Sequence, residues 1–559
     1  MAKKVLCIIM STVLLLLLVA CNPADHEKNA SNLKETDAEK ETVDKNTEKS
    51  EAMPIENSKK DKAEDGETSL KNKTFITNLS ADPTTMNPVL KADDDGHMVY
   101  QNIFDGLLEL NYNSEIIPGL AQTWDVSDDG KEYTFHLAKN VKWHDGVAFS
   151  SDDVKYTYEK IMTENGFIGE TLKNALSGIE CPDKDTVVLK LKEADSTLLG
   201  TLAWYEHFII PKHIYENEKD WASCEAATRK PIGTGPFKFV SHKKGDRIEL
   251  EANEDYFKGA PKIDKLIFVI IPDQNTAAQA FYNGEIDLLK DVAPPEVIAM
   301  QKNPDIKLGV MTAARRYQLI FNMKNEVGSN FAIRKAIALG IDREEISKKG
   351  TNGLQKPAYG FYPPFLDWAY NDQADIGERN VEKAIKILED AGFKKDKNGF
   401  YLDINLDVFA GGTYADCAKV IQSNLKEIGI NCKLNVMEMA AWGEKISSGN
   451  FEMAMMAGFQ GPDPDALRKR VGTDQNLNFS MYSNANVDEL LEKAKRLSKP
   501  EDRGPLYKEV QKILSEELPI IPIVEFASYY AVHKNISGVP YIDQVADVHD
   551  DCLAKVEIH

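Results

Sequence analysis

A hydrolytic site needs a nucleophile, a base and an orienting group brought together. Ser-x-x-Lys occurs in this chain at Ser31, Ser241 and Ser423. The first stands in a polar run, the second precedes a turn and the third lies on a helical surface pattern. No Gly-x-Ser-x-Gly and no His-Glu-x-x-His occurs. The histidines are scattered, and His207 and His213 do not share a helix face, so direct capture of a hydrated metal ion is not expected. The 89 Asp and Glu residues supply pairs for glycoside cleavage by number alone, but nothing singles one pair out. No catalytic residue, cofactor or resident metal is therefore expected. An extracellular hydrolase stands as the alternative from the enzyme class.

Cys21 has a more specific setting. Lys3 and Lys4 precede an apolar run from Val5 to Ala20, interrupted by Ser11 and Thr12 and ending in Leu18-Val19-Ala20-Cys21. This is the layout of a signal peptide (residues 1–20), shorter than the roughly 20 apolar residues a stable span requires. The last four residues resemble the bacterial lipobox, in which a small residue precedes the cleaved bond and the cysteine thiol accepts a diacylglycerol. A plain membrane anchor, or a signal peptide followed by an incidental cysteine, is the alternative. From Asn22 to Leu70 no Phe, Trp or Tyr occurs. Such a stretch cannot bury enough apolar area to offset its ordering entropy, so residues 21–72 read as a lipidated cysteine and a disordered tether.

The remainder, roughly 490 residues, exceeds a single core and predicts two or three domains. The formal net charge of −22 argues against a nucleic-acid partner and against adhesion to anionic lipid. Of seven cysteines, Cys181, Cys224, Cys417, Cys432 and Cys552 belong to the body, with no C-x-x-C. A bridge between Cys417 and Cys432 and independent buried thiols both fit this spacing.

Periodicity places the elements. Phe75 to Leu79 alternates as a strand, and Met98 to Leu110 begins at helical spacing and becomes extended. Trp124 to Leu137 reads as paired strands around Ser127-Asp128-Asp129-Gly130. Ser150-Ser151-Asp152-Asp153 opens a helix, since a hydroxyl followed by carboxylates suits a first turn. Thr186 to Lys192 is a strand, Ile232 to Phe237 a tight turn into one, and Asn275 to Ile286 a helix. After Asn330, a buried stripe of Phe331, Ile333, Ala336, Ile337 and Leu339 predicts a strong helix. Helix Val381–Ala391, strand Leu402–Val408, helix Asp416–Ile428 and strand Ile430–Val436 follow, the order of an α/β domain. A last helix, Glu509 to Glu517, leads into a returning strand, Leu518 to Ile523.

Several of these segments, in this order, resemble the extracytoplasmic solute-binding proteins of peptide and nickel ABC importers. The string runs Leu120-Ala121-Gln122-Thr123-Trp124, Ser127 to Gly130, Tyr133 to Leu137, Val141-Lys142-Trp143-His144-Asp145-Gly146 and Ser150 to Val154. Asn102 to Leu107, Gly233 to Phe237, Asn275 to Asp287, Arg334 to Arg343 and Leu518 to Ile523 extend it. The resemblance implies an α/β, two-lobed periplasmic-binding-protein-like fold with a hinge. Residues 73–110, 232–316 and 520–559 would form the first lobe, 111–231 a small inserted domain and 317–519 the second lobe. The chain would cross between lobes near Arg316 and near Ile520. It further implies a monomeric, lipid-anchored receptor at the outer face of the bacterial cell membrane. That receptor would capture peptide and pass it to permease and ATPase subunits. Trp143, Asp145 and Gly146 would hold the inserted domain together.

Peptide receptors of this family pair an aspartate with the peptide amine, a few residues after Gly-Trp and before Asp-Pro. Here the stretch is Met456-Ala457-Gly458-Phe459-Gln460-Gly461-Pro462-Asp463-Pro464-Asp465. Phe459 stands for the tryptophan, the segment is shorter, the anchoring aspartate is missing and Asp463 matches a structural position. The ligand is then a peptide bound otherwise, or another solute such as nickel or a metal chelate. By position the candidates are Asp94 and His97 in a cleft-facing loop, Trp204 and Tyr205, Arg315, Arg316 and Tyr317 at the first crossing, and Tyr362, Trp442, Phe459 and Gln460 in the second lobe. One guanidinium at the crossing would hold a carboxylate by a bidentate pair.

Overall fold

The computed structural model describes residues 73–559 apart from 91, 92, 165, 205, 206, 313, 314, 364, 375 and 460. The signal peptide, Cys21 and the tether lie outside the described residues, as do Tyr205 and Gln460.

Three sheets organise the body. The first has seven strands in the order Ile306–Met311, Ser528–His533, Leu288–Leu289, Thr74–Leu79, Lys265–Ile270, Arg247–Ala252 and Phe237–Lys243. The second has five, in the order Ile430–Met437, Leu402–Phe409, Met453–Phe459, Arg315–Phe321 and Ile520–Glu525. The third is a four-stranded antiparallel sheet within the expected inserted domain, Ala121–Val126, Glu132–Leu137, Thr186–Leu191 and Leu176–Asp183.

Local chemistry explains these elements. Leu402–Phe409 and Ile430–Met437 pair in parallel, and the helix Tyr414–Glu427 between them closes the βαβ unit that the periodicity predicts. Helix Phe331–Gly340 is capped by Asn330, whose side chain accepts from the amides of Ala332 and Ile333. Its stripe differs from expectation in one residue. Phe331 is 46 % exposed, because it opens the first turn and instead carries the Arg334 guanidinium 5.7 Å above its ring. The last helix is twice the expected length, Pro500–Glu517. Gly504 and Pro505 mask its first half in the sequence; Gly504 is there because an added Cβ would stand 2.5 Å from the Trp368 carbonyl oxygen.

The lobe boundaries shift. Ile520–Glu525 pairs with Arg315–Phe321, so both belong to the second sheet. The crossings therefore lie between Met311 and Arg315 and between Glu525 and Ser528, not near Arg316 and Ile520. Five consecutive buried apolar positions, Ile520 to Val524, cannot say which sheet they join; register decides it. Cys417 and Cys432 are separate buried thiols, with burial pushing each up to about 12, so the bridge is not formed.

Candidate functional site

A cavity of about 380 Å³ opens where the crossings bring the two sheets together. The first lobe contributes Asn78 and Ser80 from the end of strand Thr74–Leu79, Asp95 from the first turn of helix Asp94–Ile103, and the segment 289–294. The second lobe contributes Tyr317, Thr351, Gln355 and Thr413, and the second crossing adds 526–529. Thr413 Oγ1 lies 3.3 Å from Tyr317 Oη and 3.2 Å from Gln355 Oε1. Tyr317 stacks on Tyr414 at 3.7 Å, Tyr414 packs on Phe409 at 4.2 Å, and Trp442 meets Phe409 edge-on at 5.6 Å. This aromatic file fixes one wall.

The loop entering helix Asp94–Ile103 is set by three aspartates with different tasks. Asp93 caps the helix and takes the amide and hydroxyl of Thr84. Asp95 holds Ser80 and Ala81 through their amides and the Ser80 hydroxyl. Asp94 stays 79 % exposed and reaches Arg315 of the second sheet at 3.9 Å. The Arg315 guanidinium lies 5.8 Å over the Phe526 ring, so the two crossings touch through it. Behind this wall His97 is buried, and desolvation and the neighbouring His549 ring hold its pKa well below the ordinary range.

The lobes meet again away from this cavity. Asp195 of the inserted domain pairs with Lys495 at 2.8 Å, and the Ser196 amide and hydroxyl donate to the Lys495 carbonyl at 2.9 and 3.0 Å. Lys495 ends helix Ala485–Lys495, whose last carbonyls otherwise lack donors.

The profile of bacterial extracellular solute-binding proteins, family 5 Middle, matches residues 115–479. The chain belongs to this family. It is 30 % identical over 485 residues to the oligopeptide-binding protein AppA of Bacillus subtilis, covering 84 % of this chain and 89 % of that protein. Its fold matches the periplasmic binding protein DppA of Helicobacter pylori in complex with the peptide STSA, with TM-score 0.73, 27 % identity, 87 % of this chain and 98 % of that one. NikZ of Campylobacter jejuni in complex with Ni(L-His) matches with TM-score 0.72, 26 % identity, 84 % of this chain and 96 % of that one.

Within this solute-binding protein the expected site residues separate into groups. Tyr317 lines the cavity, and Asp94 and Arg315 face each other beside it. Trp442 stands behind the cavity wall through Phe409, and His97 behind the first-lobe wall. Trp204 packs against the inserted domain's core. Phe459 ends its strand and pairs by its backbone with Arg315.

Two expectations are corrected. Arg316 is 1 % exposed, with its guanidinium held by Glu525 at 3.0 Å and by the Gly360 carbonyl. It is an internal ion pair of the second lobe. Tyr362 is fully buried and donates to the Pro464 carbonyl at 2.9 Å. Asp463 takes both terminal nitrogens of Arg503, at 2.8 and 2.7 Å.

Lys290, Asp291, Gln355 and Ser528 line the cavity without having been singled out. For Lys290 a signal exists in the sequence: one cation directly follows the apolar pair Leu288-Leu289 at the strand's end.

Proposed function

We propose that this chain is the receptor of an ABC importer, capturing short peptides in the interlobe cavity and handing them to permease and ATPase subunits. The observation that carries the reading is the cavity's lining. Amide and hydroxyl side chains (Asn78, Ser80, Gln355, Thr413) stand beside side chains of both charge signs (Lys290, Asp95, Asp291). Such walls suit a zwitterionic ligand rich in hydrogen-bonding groups, held in part through water. The volume lies at the small end of the ligand-site range, which suits a peptide of a few residues. Likeness over most of both chains to AppA and to the STSA-bound DppA supports the same ligand class. The receptor works as a monomer, as a binder with no reaction of its own, outside the cell membrane and tied to it by the lipid on Cys21.

Native mass spectrometry of the full chain, purified from a peptide-rich host, tests this. A ladder of co-purified masses that resolve into peptides is expected. A chain that stays empty, and remains so when offered a mixed pool of short synthetic peptides, overturns the reading.

A further inference from the structure

Lys290 follows strand Leu288–Leu289 and is 7 % exposed. It is the only cationic side chain among the described residues lining the interlobe cavity. Its backbone amide donates to Asn78 Oδ1 at 2.9 Å. Its ammonium takes no hydrogen bond and no ion pair among the described residues.

Three of the carboxylates around it are already engaged by neutral donors. Asp95 is held by Ser80 and Ala81. Asp551 accepts from the Tyr530 hydroxyl at 3.1 Å and Asp291 from the Ser528 hydroxyl. Asp291 sits in the left-handed region at φ 55°, where the chain turns sharply out of the strand beside Lys290. Desolvation works to lower the Lys290 pKa, but the carboxylates of Asp291, Asp551, Asp95 and Asp94 outweigh it, so the side chain stays charged.

A charged ammonium whose donors are not taken among the described residues has them to give to the oxygens of an anionic ligand group, in a charge-assisted bond stronger than one between neutral groups. We infer that Lys290 is the anchor for a carboxylate of the ligand. This deepens the peptide reading and rests on it: the recognised group is the peptide's C-terminal carboxylate or an acidic side chain, and ligands with neither are bound weakly. The acidic neighbours sharpen the selection. They repel a ligand of net negative charge unless it also brings an amine, which a peptide does.

The test uses the full chain, native mass spectrometry, and two pools of synthetic di- to pentapeptides: one with free C-terminal acids, one with C-terminal amides. Free acids should be retained about tenfold or more better than amides lacking Asp and Glu. Amides that do carry Asp or Glu, if retained, identify a side-chain carboxylate as the group held. Lys290→Met should lose that preference and Lys290→Arg should keep it, with thermal unfolding of each variant recorded alongside. If Lys290→Met does not fold, the comparison of the two pools on the unaltered chain still decides. Retention of neutral amides equal to that of free acids overturns the Lys290 assignment and leaves the peptide reading standing. Retention of neither pool overturns both.

Discussion

His144 shows how one side chain ties the inserted domain to the first lobe. Its Nδ1 accepts from the Gly233 amide at 3.3 Å, and its Nε2–H donates to the Gly235 carbonyl at 3.0 Å. Both glycines are required by close approach, since an added Cβ would stand 1.8 Å from the Ile103 carbonyl oxygen at Gly233 and 2.6 Å from its carbon at Gly235. Both ring nitrogens are engaged only in the neutral form. Burial lowers the His144 pKa from 6.5 to about 4, outweighing the Gly235 hydrogen bond that raises it. The unfolded chain therefore takes up this proton near pH 6.5 while the folded chain resists it until about pH 4. Stability from this group is present above pH 6.5 and is lost as pH falls through that window, by about 1–3 kcal/mol. Asp105, raised to about 6 mainly by burial and then by Glu109, acts with the opposite sign. The test is thus a difference: urea unfolding between pH 7 and 4 should fall less steeply in His144→Gln than in the unaltered chain. Equal slopes would exclude the assignment. The residue scale is where the sequence is least legible. Arg315 and Arg316 are neighbours of one type, yet a strand turns successive side chains to opposite faces. One therefore reaches Asp94 beside the cavity and the other is sealed against Glu525. Only the register of Arg316 opposite Glu525 reveals this, and that register is nonlocal.

At the scale of elements the sequence speaks more clearly, because helices and strands follow from local spacing. The βαβ unit 402–437 and the turn Ser127 to Gly130 stand where the pattern puts them. What local spacing does not supply is which elements meet. The Asp195 carboxylate accepts from the Thr197 amide and hydroxyl at 3.1 and 2.6 Å, a contact within its own turn. The same carboxylate also reaches Lys495 on a helix of the second lobe, while Ser196 caps that helix's C-terminal carbonyl. The clasp bridges the inserted domain and the second lobe away from the cavity, so parting the lobes would break it, and its expected effect falls on the open–closed equilibrium rather than on the ligand. Its ion pair is partly exposed, 32 % at Lys495 and 9 % at Asp195, which limits it to about 1 kcal/mol, or roughly fivefold in that equilibrium. Asp195→Asn should lower peptide affinity about fivefold and raise the unliganded radius of gyration in small-angle scattering. Peptide preference should not change. Altered preference with unaltered scattering would place Asp195 in the binding wall and sink the clasp.

For the whole molecule, two separately cored lobes joined by two chain crossings, after Met311 and after Glu525, have the layout that suits hinge closure around a ligand. The two-lobed order was legible because the signature string and the element order run the length of the body. The sequence misplaces the second crossing by six residues at Ile520, because the buried apolar positions Ile520 to Val524 carry no face preference. A receptor of the proposed kind would have to stay beside its permease, and a formal charge of −22 argues against adhesion to anionic lipid as the means. Among the described residues no helix is long and apolar enough to cross a membrane. The diacylglycerol on Cys21 would then carry the attachment, with the polar run to residue 72 setting its reach. Cys21→Ser, expressed in a bacterial host, should move the chain from the membrane fraction to the extracytoplasmic soluble fraction and abolish its labelling by radioactive palmitate. Peptide binding by the purified chain should be unchanged. Import should fall, because tethering holds the receptor at high effective concentration near its permease and release dilutes it. A Cys21→Ser chain that remains in the membrane fraction would show that the apolar run Val5–Ala20 is itself the anchor, and would remove the lipid from the account.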